Sequence, residues 1–230
     1  MKNIRIFSII ILLSISSLFS CSNTSNNENT KHESTKTEVR KSIEKDSRKV
    51  ITFYGNSLTA GYGLEKEQSY PSIIQATYDS LNIPYHCINA GLSGETTAGG
   101  KNRIEWVLNQ NTPDIFVLSL GGNDALRGLD PKSSKENLID IINIVRTKNP
   151  NCKILLAGIV PPPNMGEKYF NEFKLIFPQI SKEKNTFLLP FLLKGVAGNE
   201  TLNQKDGIHP NIEGTKIVAS TVMNALKPLL

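Results

Sequence analysis

The chain of 230 residues carries 26 Lys and Arg against 21 Asp and Glu, a formal net charge of +5. Nine of the basic and five of the acidic residues fall in the first 49 positions, so the remainder holds 17 against 16 and is nearly neutral. With no basic stripe interleaved with aromatics, nucleic acid is excluded as a partner class.

Lys2 and Arg5 precede a short apolar run, Ile9 to Leu13, followed by Leu18, Phe19, Ser20 and Cys21. The pattern predicts an export signal over 1–20, too short to span a bilayer stably. The Leu18 to Cys21 order resembles the lipobox of bacterial lipoproteins. That resemblance implies cleavage before Cys21, acylation of its thiol and a location in the cell envelope, held to a membrane. A cleaved secretory signal with an incidental cysteine is the alternative. Residues 21–48, rich in Ser, Asn, Thr, Lys and Glu, read as a flexible polar tether. A single folded domain is expected over 49–230, as a monomer.

VITFYG, from Val50, is β-favouring and breaks at Gly55 into a turn holding Asn56 and Ser57, ahead of Gly61 and Gly63. Ser69 then reads as a helix N-cap with Pro71 in the first turn, and Ile73, Ile74, Thr77, Tyr78 and Leu81 recur at helical spacing up to Asn82. A second strand is predicted over 83–91, turning at 92–97. A helix carrying Ile104, Trp106, Val107 and Leu108 runs until Pro113. The continuous apolar run within 114–124 predicts a strand covered on both faces. A helix over 131–148 with Leu138, Ile141, Ile142 and Val145 on one face, a strand over 152–160, a helix over 167–182 with Phe170, Phe173, Phe177 and Ile180 on its apolar side, a strand over 186–191 and a closing helix from about Ile212 carrying Ile217, Val218, Val222 and Leu226 complete the chain. Strands alternating with helices predict an α/β domain of three layers, α/β/α, on a mostly parallel five-stranded sheet.

Ligands of such sheets bind beyond the carboxyl ends of the strands, where these turns converge. A serine at a strand-to-helix turn is either an ordinary turn residue or a nucleophile that needs a base and a group to orient that base. His32 lies in the tether, and His86, inside an apolar strand, reads as a packed core histidine. His209 is therefore the candidate base, with Asp206 three residues before it, although Asp and His at a helix entry also serve as caps. Candidate donors to a developing oxyanion are the Ser57 and Gly94 N–H groups and the Asn123 amide, each also explicable as turn chemistry. The segment Pro161 to Phe173, with Met165, Tyr169, Phe170 and Phe173, is a candidate acyl groove, and Phe170 and Phe173 read equally as core. Cys87 and Cys152 read as buried free thiols on non-adjacent strands. No Cys or His cluster has metal-ligand spacing, and neither phosphate-loop pattern follows a strand.

GNSL at 55–58, Gly94 within SGET, GGND at 121–124 and DGIHP at 206–210 resemble, in order and spacing, the four blocks of the SGNH or GDSL hydrolases. Within that superfamily the bacterial acyl-CoA thioesterase I, lysophospholipase and arylesterase group is most similar. The resemblance implies a flavodoxin-like sheet of order 2-1-3-4-5 and no metal or organic cofactor. It further implies Ser57 as nucleophile, His209 as base, Asp206 as its orienter and Ser57, Gly94 and Asn123 as the oxyanion hole, with Asn56 and Asp124 in support. The family usually has Asp where this chain has Asn56. The expected activity is hydrolysis of small-molecule or lipid esters and thioesters. The alternatives are a carbohydrate O-acetylesterase and a surface lipoprotein that binds without turnover.

Overall fold

The computed structural model describes residues 47–230. The signal segment, Cys21, His32 and all of the tether except Ser47 and Arg48 lie outside the described residues. The strands are β1 (Lys49–Gly55), β2 (Tyr85–Gly91), β3 (Ile115–Ser119), β4 (Lys153–Ala157) and β5 (Phe187–Leu189). They form one parallel sheet of order β2-β1-β3-β4-β5. The helices are α1 (Ser57–Ala60), α2 (Tyr70–Ser80), α3 (Thr97–Gln110), α4 (Gly122–Leu126), α5 (Pro131–Lys148), α6 (Glu167–Lys184) and α7 (Ile212–Leu226). Helix α2 packs with α7, whereas α3 packs with α5 and α5 with α6, so the sheet is covered on both sides. Every residue of β3 is buried, which is why its sequence is apolar without alternation.

The strands are shorter than their apolar runs. β3 stops at Ser119 because Gly121, with φ of +111°, starts α4. Gly55 ends β1 at a point where a Cβ would meet Ser119 O at 2.7 Å and also collide with Thr59, so only glycine lets the chain turn there. The predicted helical stripes are largely the core: Leu138, Ile141, Ile142 and Val145 of α5 and Phe173, Phe177 and Ile180 of α6 are all buried.

Four expectations are corrected. Leu81, Trp106 and Ile217 are exposed, because they sit at a helix end or on the outer side of their helices. Ser69 stands at the N-cap position of α2 but gives it no side-chain cap bond, since its hydroxyl is engaged with Lys66 O and Ser72 Oγ instead. Cys152 is buried but Cys87 only partly so, because β2 is an edge strand in which Tyr85 alone is fully buried. Both thiols are free, and burial pushes each up to about 12. His86 is likewise no core residue. It is half-buried near the start of β2, with its Nδ1 3.3 Å from Arg48 Nη2, and Arg48 is also paired with Asp79.

Candidate active site

The carboxyl ends of β1, β2 and β3 place three turns around one cleft. Ser57 is the first residue of α1, directly after β1. Asn56 caps that helix by accepting the Leu58 N–H on Oδ1 at 3.1 Å. As the opening residue of a helix, Ser57 has no acceptor for its own N–H within that helix. Its Oγ lies 2.8 Å from His209 Nε2, across 152 residues of chain.

The turn before α7 organises the histidine. Asp206 Oδ1 accepts the backbone N–H groups of Ile208 and His209 at 2.9 and 3.0 Å, while Oδ2 lies 2.6 Å from His209 Nδ1. One carboxylate thus shapes the turn and fixes the ring, which sets the proton on Nδ1 and leaves Nε2 free to accept. The His209 backbone N–H, then its side chain and the Ile208 N–H, pull the Asp206 carboxyl down to about 2 from its ordinary 3.8. A depressed carboxylate adds stability that is present above about pH 4 and is lost as pH falls toward 2. Wild type and Asp206→Asn compared by thermal unfolding are therefore expected to converge as pH is lowered through this window. A stability difference constant down to about pH 2 would contradict this.

Opposite Ser57, Gly94 lies in the turn after β2 with φ of +80°, and Asn123 lies in the first turn of α4. Asn123 Nδ2 donates to Glu95 O at 2.9 Å, and a carboxamide carries two N–H groups. Asn123 is thereby tied to the turn that carries Gly94, and Arg127 Nη2 holds Gly94 O from the other side at 3.1 Å. Under that turn lies an ion pair that no sequence pattern announced: Glu95, buried at 6 % exposed, and the half-buried Arg103, joined at 2.7 Å through Nε and 2.5 Å through Nη2. Glu95 lies in the turn before α3 and Arg103 inside that helix, so no periodicity of a single element pairs them. Arg103 also donates to Ala90 O and stacks over the Tyr54 ring at 4.4 Å. Asp124, buried, accepts from the Thr97 N–H and hydroxyl and the Ser134 hydroxyl, joining α4 to α3 and α5. It supports the site by holding these helices rather than by touching the cleft.

The cleft has a volume of about 810 Å³ and reaches Ser57, Gly94, Asn123 and His209. Its walls are mainly apolar, with Tyr62, Ile159, Phe170, Phe191, Leu193 and Ile208 among them. The predicted groove residues divide: Phe170 and Pro161 to Pro163 line the cleft, Phe173 is core, and Tyr169 gives its hydroxyl to Leu129 O. His86 is far from this site. It pairs with Val50, five positions before Gly91, roughly 17 Å along the strand from the carboxyl edge. Among the described residues no group of three or more His, Cys, Asp or Glu could hold a metal.

Asn56 is 2 % exposed beside the nucleophile turn. Aspartate offers the same acceptor to the Leu58 N–H with a charge that suits a helix start. Asn56→Asp is expected to change kcat/KM by less than about tenfold in steady-state assays, and complete loss would mean that the turn needs the amide N–H groups.

Residues 53–217 match the model of the GDSL-like lipase/acylhydrolase family. Esterase TesA of Pseudomonas aeruginosa is 36 % identical over 176 residues, which cover 76 % of this chain and 87 % of that protein. Thioesterase 1/protease 1/lysophospholipase L1 of Escherichia coli is 34 % identical over 180 residues, covering 78 % and 84 %. Among solved structures, the psychrotrophic esterase EstA from Pseudoalteromonas sp., inhibited by monoethylphosphonate, superposes with a TM-score of 0.75 at 32 % identity, over 78 % of this chain and 97 % of that one. The match over most of the folded domain, with relatives of this identity along nearly their whole length, places the chain in the GDSL-like lipase/acylhydrolase family, and it is a hydrolase of ester bonds.

Proposed function

We propose that Ser57, His209 and Asp206 form the catalytic triad of a serine esterase that cleaves carboxylic esters and thioesters with apolar acyl groups. The observation that carries this reading is the continuous Asp206, His209, Ser57 hydrogen-bond chain opening into a largely apolar cleft. His209 Nε2 takes the proton of Ser57 Oγ as that oxygen attacks the acyl carbon. It then delivers the proton to the departing alkoxide or thiolate, leaving an acyl group on Ser57. Water, deprotonated by the same nitrogen, releases the acid and restores the serine. Negative charge on the carbonyl oxygen is met by the N–H groups of Ser57 and Gly94 and by Asn123. Each such donor is worth a few kcal/mol because it is already in place when the charge develops.

The apolar walls favour acyl chains longer than acetate, in line with the names esterase, thioesterase and lysophospholipase borne by the relatives. The Leu18 to Cys21 motif supports a lipid anchor in the cell envelope, where lysophospholipids or exogenous esters would be met. A fluorophosphonate should add its mass to the peptide containing Ser57, and Ser57→Ala should abolish both labelling and turnover. Labelling at another residue, or turnover by the Ser57→Ala protein, would refute the assignment. On p-nitrophenyl esters, kcat/KM is expected to be higher for hexanoate than for acetate, and a sharp preference for acetate would favour glycan deacetylation instead.

A further inference from the structure

Two turns have to meet for Ser57 to reach His209. One, Gly61 to Gly63, follows α1; the other, 204–210, precedes α7. The Tyr62 ring lies against the His209 imidazole with centroids 4.7 Å apart and a tilt of 41°, although Tyr62 is 53 % exposed. A half-exposed aromatic on a turn keeps such a contact only if its backbone is restrained.

Gln204 supplies the restraint. Its Nε2 donates to Tyr62 O at 2.7 Å and to Pro210 O at 3.0 Å, which uses both amide protons. Its backbone N–H donates to His209 O at 2.7 Å. The same amide fills the space beside Gly63, where a Cβ would collide with Gln204 Oε1. The side chain therefore ties the turn that follows the nucleophile to the turn that carries the histidine, across 142 residues.

We propose that Gln204 is a positioning residue for hydrolysis, clamping the Tyr62 turn to the His209 turn so that the Tyr62 ring backs the imidazole. This rests on the reading of Ser57 and His209 as nucleophile and base. The clamp holds the imidazole plane toward Ser57, and the aromatic ring presents electron density to the imidazolium that forms as the serine loses its proton. A base misplaced by about an ångström can lose on the order of a hundredfold in rate, so a contact outside the reacting atoms can matter this much.

The test uses the purified chain with its active sites counted by exhaustive fluorophosphonate titration, so kcat is expressed per functional site and loss of folded protein does not register. Gln204→Met keeps the length without the donors, and Gln204→Glu keeps the shape but sets a carboxylate against two carbonyls. Both are expected to lower kcat on p-nitrophenyl acetate about 10- to 50-fold with KM within about threefold. Tyr62→Ala should fall as far as Gln204→Met, and the double variant should fall little further than either, as residues acting as a unit do. The proposal is overturned if Gln204→Met keeps wild-type kcat, if Tyr62→Ala raises KM alone, or if the two losses multiply. Each of these outcomes leaves the dependence on Ser57 intact, whereas turnover by Ser57→Ala would refute the serine-esterase reading itself.

Discussion

Replacing His209 by alanine is expected to lower kcat/KM on p-nitrophenyl esters by about 10⁴-fold or more while leaving the fold in place. A serine hydroxyl is a weak nucleophile at neutral pH, and the group placed to take its proton is the imidazole nitrogen 2.8 Å away. Among the described residues the other histidine, His86, lies at the far end of β2 and cannot substitute. Because the three residues act together, a variant lacking both Ser57 and His209 should be little worse than either single variant. Asp206→Asn should cost about 10³- to 10⁴-fold, since an amide can offer its N–H to Nδ1 and stabilise the wrong tautomer. Circular dichroism alongside steady-state kinetics separates these effects from unfolding. A His209→Ala enzyme retaining more than about a hundredth of wild-type kcat/KM would mean that another base serves Ser57.

Arg103→Met should destabilise the protein by about 3–5 kcal/mol, a fall in Tm on the order of 10 °C for a domain of this size. Methionine keeps much of the side-chain volume but leaves the Glu95 carboxylate buried without its cation. The companion variant Glu95→Gln/Arg103→Met removes the stranded charge and should recover most of the loss, which identifies the uncompensated carboxylate as the cause. Activity per folded molecule should also fall, because Glu95 O is the acceptor that holds Asn123 beside the cleft. A shift of less than about 1 kcal/mol in Arg103→Met would show that water reaches Glu95 and that the pair is not what secures this turn.

Particular residues show where sequence reading succeeds. Helix α5 was readable to its ends because Pro131 marks its start and Leu138, Ile141, Ile142 and Val145 repeat at the helical period. The sheet order was expected from the family resemblance rather than from any local pattern. Two of the errors, Cys87 and His86, fall on β2. Its apolar residues looked like a buried strand, and only the sheet order makes it an edge, where His86 and Cys87 are half-exposed. Trp106 misled for a related reason, since hydrophobicity alone does not say which side of α3 meets α5.

The sequence by itself determined the strand-to-helix turns that carry Ser57, Gly94 and Asn123, and the Asp206 to His209 turn, because these are local: glycine, caps and short spacings act within a few residues. Only the tertiary structure decided that Ser57 Oγ and His209 Nε2 lie 2.8 Å apart, that Glu95 is neutralised by Arg103, and that Gln204 grips the Tyr62 turn. Those contacts join different elements, and their geometry follows from how the strands are ordered and the helices packed, which no short-range pattern encodes.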